Sequence, residues 1–268
     1  MKPVILTAGD AKFKELIDLS VEQIRYYGYT PMVYDLGGLG IGHRYDKKTE
    51  VILRREDETW DTLIPARQKH GRKVLLNRRA AAPWKPQLIL DAIESLDEWV
   101  HLMWMDGDAV ITEPIHEIFR GDYDVAVTMR YTPAKKSQSR YLNVGVLVFR
   151  NTPKTLSLLH QSMAEQKAKP KECDQRSMHN LMEKEETGIE TAKPGDILNF
   201  MGAEVLLLPA QYNHTIGNPS RIDLAVRRSA KIWHLKASYY PGNRELKEQF
   251  LREVKKKCQL SQKTDSST

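Results

Sequence analysis

Along the chain, short apolar runs alternate with segments whose apolar residues recur at helical spacing, an order that predicts alternating strands and helices. Val4–Thr7 reads as a first strand. Ala11–Tyr27 reads as a helix, because Phe13, Leu16, Ile17, Ile24 and Tyr27 fall on one face. Thr30–Tyr34 returns as a second strand, which completes a right-handed, parallel strand–helix–strand unit. Gly37–Gly42 is a glycine-rich turn without the lysine of a phosphate-cradling loop, and Val51–Leu53 and Val74–Leu76 are short strand candidates. Trp84-Lys85-Pro86 opens a helix that runs through Gln87–Leu96, proline being suited to a first turn. Val100–Met105 follows, apolar on both faces and therefore a buried strand. Beyond it the pattern predicts a short helix at Ile115–Phe119 and strands at Val125–Met129 and Val144–Phe149. Helices at Thr155–Gln166 and Asp174–Lys184, strands at Val205–Pro209 and Lys231–Leu235, and a helix at Arg244–Lys257 complete it. The prediction is one α/β domain over residues 1–257, a mixed, mostly parallel sheet flanked by helices. Residues 258–268, rich in Ser, Thr, Gln and Lys, are expected to form a disordered polar tail.

Composition narrows this little. At 268 residues, with 41% hydrophobic and 28% charged residues, the chain belongs to the ordinary globular class. No apolar stretch approaches the roughly 20 residues of a membrane span, and Val4-Ile5-Leu6 is too short for a signal-peptide core. The expectation is a soluble, cytoplasmic protein without a transmembrane segment. Two cysteines, Cys173 and Cys258, leave neither a disulfide scaffold nor a zinc ribbon. The net charge of +6 is dispersed over pairs such as Arg54-Arg55, Arg78-Arg79 and Arg227-Arg228, with no aromatic interleaving. These read as solvated faces, steering of an anionic substrate being the other reading, and no nucleic-acid partner is expected.

The chemistry gathers at Asp106-Gly107-Asp108, where the buried strand Val100–Met105 ends. Carboxylates at the carboxyl end of such a strand emerge where α/β sheets bind ligands. Two of them can hold a hard divalent cation and leave positions for phosphate oxygens. Gly107 lets backbone approach a ligand closely, although an Asp-x-Asp also arises by chance. Three further segments each have two readings. Asn143 and Gly145 sit at the mouth of an apolar strand or are an ordinary loop-to-strand entry. Asp174, with Gln175, opens a helix and is a functional carboxylate or an N-cap. His234 leaves the strand Lys231–Leu235 as a ligand or as a hydrogen-bonded structural histidine.

Taken in order, these segments resemble retaining glycosyltransferases of the GT-A, Rossmann-like fold, close to the glycogenin and lipopolysaccharide galactosyltransferase group. The likeness spans roughly residues 3–240. It rests on Val4–Asp10, Tyr34-Asp35-Leu36-Gly37, Trp84-Lys85-Pro86, Met105-Asp106-Gly107-Asp108, Asn143-Val144-Gly145, Asp174-Gln175, Leu208-Pro209 with Tyr212-Asn213, and Trp233-His234. The resemblance implies transfer of a sugar from a nucleotide-diphosphate sugar, UDP- before GDP-, to a hydroxyl of a glycan, protein or lipid-linked acceptor. Asp106, Asp108 and His234 would ligate a divalent cation, manganese before magnesium. Thr7, Ala8 and Gly9 would line the nucleoside pocket. Lys85 would contact donor sugar or phosphate, Asn143 and Gly145 would lie beside the sugar, and Asp174 and Gln175 would approach its anomeric carbon. The family often carries a lysine and Pro-Trp after the metal histidine. Here Leu235-Lys236-Ala237-Ser238 follows, so Lys236 or Arg244 would hold the leaving phosphate.

Two alternatives accompany this reading. Met105-Asp106-Gly107-Asp108 also resembles the motif of haloacid-dehalogenase-type phosphatases, in which Asp106 would attack phosphorus and Asp108 serve as acid–base. That motif usually opens its domain, whereas about a hundred residues precede it here. The other alternative is a non-catalytic nucleotide-sugar-binding protein on the same scaffold.

Overall fold

Period-two alternation in the apolar strands and period-3.6 stripes on the helices sort the side chains into layers on either side of one large sheet. The computed structural model describes residues 2–9, 13–35, 52–53, 85–132, 139–168, 174–184, 188–216, 227–235 and 244–265. The glycine-rich turn Gly37–Gly42, the strand candidate Val74–Leu76, Trp84 and Lys236 lie outside the described residues.

The amino-terminal unit comprises β1 (Val4–Gly9), α1 (Lys14–Tyr26) and β2 (Thr30–Asp35), with β1 and β2 parallel. The helix ends in a Schellman motif. Gly28, at φ +82°, donates its N–H to the Arg25 carbonyl, and Tyr29 donates to the Ile24 carbonyl. After β3 (Ile52–Leu53) come α2 (Lys85–Glu94), β4 (His101–Asp106) and β5 (Ala109–Ile111). The chain continues through β6 (Val125–Thr132), β7 (Ser139–Arg150), α3 (Pro153–Ala168) and α4 (Asp174–Lys184). It closes with β8 (Ile197–Phe200), β9 (Ala203–Leu208), β10 (His214–Thr215), β11 (Ile232–His234) and α5 (Arg244–Asp265).

Eight strands form a sheet in the order β3-β2-β1-β4-β7-β6-β9-β8. The β3–β2, β2–β1, β1–β4 and β6–β9 pairings are parallel and the other three antiparallel, so the sheet is mixed and mostly parallel. Even-numbered residues of β4, Leu102 and Trp104, join the cluster under α2, α3 and α4, while Met103 and Met105 face the opposite layer. In that second layer a small sheet, β10-β11-β5, covers the large one. Helices α1 and α5 then close over Val110, Trp233 and Leu235. Among the described residues no helix is long and apolar enough to cross a membrane.

Several elements differ from the sequence expectation. The final helix runs on to Asp265, so residues 258–265 of the expected disordered tail are helical. Phe250, Leu251, Val254 and Cys258 are buried on one stripe, and this stripe carries the helix past Lys257. His116–Phe119 is a 3-10 turn. Strand β7 begins at Ser139 rather than Val144, because its polar start pairs with Thr128–Thr132 of β6 and is held by backbone hydrogen bonds instead of apolar burial. Strands β5, β8 and β10 are too short, or too exposed, to carry a sequence signal.

Candidate active site

Strand β4 delivers the first carboxylate. Alternation along the strand places Trp104 and Asp106 on the same face, and the Trp104 indole N–H donates to Asp106 Oδ1 at 2.8 Å. Lys85, the first residue of α2, brings its Nζ to 2.9 Å from the same oxygen. The ammonium also donates to the Val144 carbonyl at 2.9 Å. The Asp106 carboxylate is 29% exposed. Burial opposes its charge, but Lys85, His234 and the indole N–H outweigh it and hold the carboxyl down at about 2. Oδ1 is thus committed to Lys85 and Trp104, and Oδ2 turns toward His234, 3.6 Å from Nε2.

The second carboxylate and the histidine meet because β5 and β11 pair. Immediately after β4 the chain turns through Gly107-Asp108 into β5, and the Ala109↔His234 register sets His234 beside the turn. Leu235 N–H donates to the Asp108 carbonyl at 2.9 Å, and this extends the pairing by one residue. His234 Nε2 then lies 2.9 Å from Asp108 Oδ1, both side chains being almost wholly buried. On the far side of the ring, Nδ1 is 2.8 Å from Asn213 Oδ1.

The third wall is an irregularity in β7. Pairing with β6 jumps from Val127↔Leu147 to Thr128↔Asn143, which leaves Val144–Val146 without β6 partners. This bulge presents Gly145 to the site. A Cβ there would stand 2.5 Å from His234 Cε1 and 3.0 Å from Asp106 Oδ2, so a side chain would occupy the space between the ligating atoms. Asn143 supports the bulge from below, its Oδ1 accepting the Gly145 N–H at 3.2 Å.

Asp106, Asp108 and His234 each offer one ligand atom, all within 4.8 Å of one another, and together they can hold a metal ion. The donor set of two carboxylate oxygens and one imidazole nitrogen suits a divalent ion such as manganese or magnesium better than a soft, thiolate-seeking one. The other residues singled out in the sequence are placed variously. Ala8 pairs in register with Asp106 across β1 and β4. Thr7 pairs with Met105 and is fully buried on the opposite face, its hydroxyl without a hydrogen-bond partner among the described residues. Gly9 ends β1, where an added Cβ would stand 2.9 Å from Phe13 Cβ. At Gly107 the close approach is to backbone, since a Cβ would stand 2.4 Å from the Ala8 carbonyl oxygen. Asp174 and the half-buried Gln175 open α4, which packs on β7. Sequence reasoning gave no site role to Trp104, whose local signal was its position two residues before Asp106 on a strand, and it named Asn213 only within the matching segment Tyr212-Asn213.

The Asp-Asp-His cluster thus lies at the carboxyl end of a central strand of a mixed α/β sheet, the edge at which such sheets bind ligands. Residues 92–251 match the family model described as nucleotide-diphospho-sugar transferase, and the chain belongs to that family. The family does not favour the phosphatase alternative. Comparison with curated proteins returns no match. Among solved structures, a glycosyltransferase involved in glycosylation of the major capsid of PBCV-1 is similar at 14% identity and TM-score 0.53, over 93% of this chain and 98% of that one. The glycosyltransferase GlyE of Streptococcus pneumoniae TIGR4 is similar at 13% identity and TM-score 0.50, over 95% of this chain and 60% of that one. The WbbM bifunctional glycosyltransferase shares 13% identity at TM-score 0.48 over 87% of this chain, which spans only 45% of its length. The first two likenesses bear on the fold, which is of the GT-A type.

Proposed function

We propose that this protein is a metal-dependent glycosyltransferase that moves a sugar from a nucleotide-diphosphate sugar, a UDP-sugar first, to an acceptor hydroxyl with retention of anomeric configuration. The observation that carries this reading is the convergence of Asp106, Asp108 and His234 at the end of β4. A divalent cation held there, manganese before magnesium, would offset the charge that develops on a departing diphosphate. Lys85, already beside Asp106, supplies a second positive charge at the same edge, and Lys236 is assigned to the leaving phosphate. Asn143 and Gly145 border the sugar, and Ala8, Gly9 and Gly107 shape the nucleoside side together with the backbone of Thr7, whose side chain faces the core. Asp174 and Gln175 are assigned to the anomeric carbon, where an oxygen atom stabilises oxocarbenium-like charge. A diphosphate leaving group needs no proton to depart, so charge stabilisation is the work the site must do. The acceptor is a glycan, protein or lipid-linked hydroxyl.

The test is a donor screen in which purified protein and Mn2+ are incubated with UDP- and GDP-sugars and nucleoside diphosphate release is recorded. Release from at least one donor is expected, abolished in Asp108→Ala together with metal-dependent nucleotide binding. Binding without turnover from any donor would instead identify a nucleotide-sugar-binding protein. An inverted product by NMR would remove Asp174 and Gln175 from the anomeric centre.

A further inference from the structure

We propose that Asn213 is the positioning residue that presents His234 to the metal, by accepting a hydrogen bond from Nδ1–H and so leaving Nε2 as the coordinating nitrogen. The inference rests on the metal reading above. A backbone carbonyl can only accept. The Asn143 backbone carbonyl takes a hydrogen bond from Asn213 Nδ2 at 3.3 Å, and this fixes which end of the amide is nitrogen. The amide oxygen must then face His234, where it lies 2.8 Å from Nδ1. An oxygen acceptor at that distance requires Nδ1 to carry the hydrogen, so Nε2 is the nitrogen turned toward Asp108 Oδ1 and Asp106 Oδ2, at 2.9 and 3.6 Å.

The backbone that carries the amide is held as well. Arg130, buried on β6, donates through one guanidinium nitrogen to the Asn213 backbone carbonyl at 2.8 Å and to the Thr215 hydroxyl. Thr215 pairs in register with His234 itself. The Asn213 backbone is thereby tied to β6 and β10, and its side-chain amide to β7 and to the imidazole on β11. Asn213 is fully buried, so its amide works without competition from bulk water. Outer hydrogen bonds of this kind orient ligating histidines, and their loss typically weakens metal binding about 10- to 100-fold.

The experiment compares the full chain with Asn213→Leu, which keeps the volume without an acceptor, and Asn213→Asp, which keeps an oxygen facing Nδ1. Mn2+ affinity is measured by calorimetry, and pulsed EPR of the bound ion reads the coupling to a directly ligated 14N nucleus. Wild type is expected to show both binding and nitrogen coupling. Asn213→Leu should lose about 10- to 100-fold in affinity, with the coupling diminished, and Asn213→Asp should restore both to near the wild-type level. Should Asn213→Leu fail to fold, Asn213→Ser, which withdraws its hydroxyl from Nδ1, is read in the same way. Wild-type affinity and coupling in the Leu or Ser variant would overturn the inference while the metal site stands. So would an Asp variant as weak as the Leu variant, which would reduce Asn213 to packing. Failure of the wild-type chain itself to bind Mn2+ or Mg2+ would instead overturn the metal reading, and this inference with it.

Discussion

At the scale of single residues, the site is built from small choices that exclude alternatives. Gly145 is glycine because any Cβ would enter the space between His234 and Asp106, 2.5 Å from Cε1 and 3.0 Å from Oδ2. Gly145→Ala should therefore weaken Mn2+ binding at least about tenfold, because overpacking must displace a ligand or the bulge. Calorimetric titration checks this, and an unchanged Kd would show that the bulge yields. His101, at the other end of β4, is a separate case. Burial, reinforced by Arg150, lowers its pKa to about 4, and its ring packs on Phe119 and Tyr123. The unfolded chain binds this proton at about 6.5 and the folded one only near 4, so stability is lost as pH falls through that window. His101→Phe should flatten the decline between pH 6.5 and 4 in urea melts, and an equal decline in the variant would assign it to other groups.

At the scale of elements, the histidine is only as well placed as the strand that carries it. Strand β11 has three residues, and the neighbours of His234 in sequence, Trp233 and Leu235, pack with Leu16 and Leu19 of α1 and Phe250, Leu251, Val254 and Cys258 of α5. Helix α5 is thus a clamp on His234 from behind. Phe250 is fully buried, and Phe250→Ala should cost about 3–5 kcal/mol in urea unfolding. Loss of packing at the back of β11 should also lower Mn2+ affinity in the variant that remains folded. Full affinity together with the full stability loss would uncouple α5 from the site.

At the scale of the whole molecule, the site lies where two sheets meet. Asp106 belongs to the eight-stranded sheet, His234 to the three-stranded one, and Asp108 to the turn that joins them. A cation shared by all three would tie the layers together, so metal should act on global stability. At about 100 times its Kd, Mn2+ is expected to add about 2.7 kcal/mol, a rise in Tm of roughly 5–10 °C for a chain of this size. EDTA should abolish the rise, and Asp108→Ala should never show it. A Tm indifferent to metal in the wild-type chain would count against a cation bridge between the sheets.

How much of this was legible in the sequence divides along a physical line. The strand ending in Asp106, the helix beginning at Lys85 and the apolar stripe of α1 could be read directly, because periods of 2 and 3.6 are local properties of the backbone. The mixed, mostly parallel sheet followed from the alternation of those elements. The likeness to known transferases named His234 as a ligand, but no local pattern distinguishes it from a structural histidine. Its meeting with Asp106 and Asp108 depends on β11 pairing with β5, a contact between distant segments whose register is set by packing across the chain. The same holds for Asn213 and Arg130, whose roles rest on hydrogen bonds between strands, and for the burial of Cys258 in what read as a polar tail. The sequence by itself determined which residues could form strands, helices and a carboxylate pair at a strand end. Only the tertiary structure decided which nitrogen faces that pair and what holds it there, because those are distances between side chains that the backbone brings together only when folded.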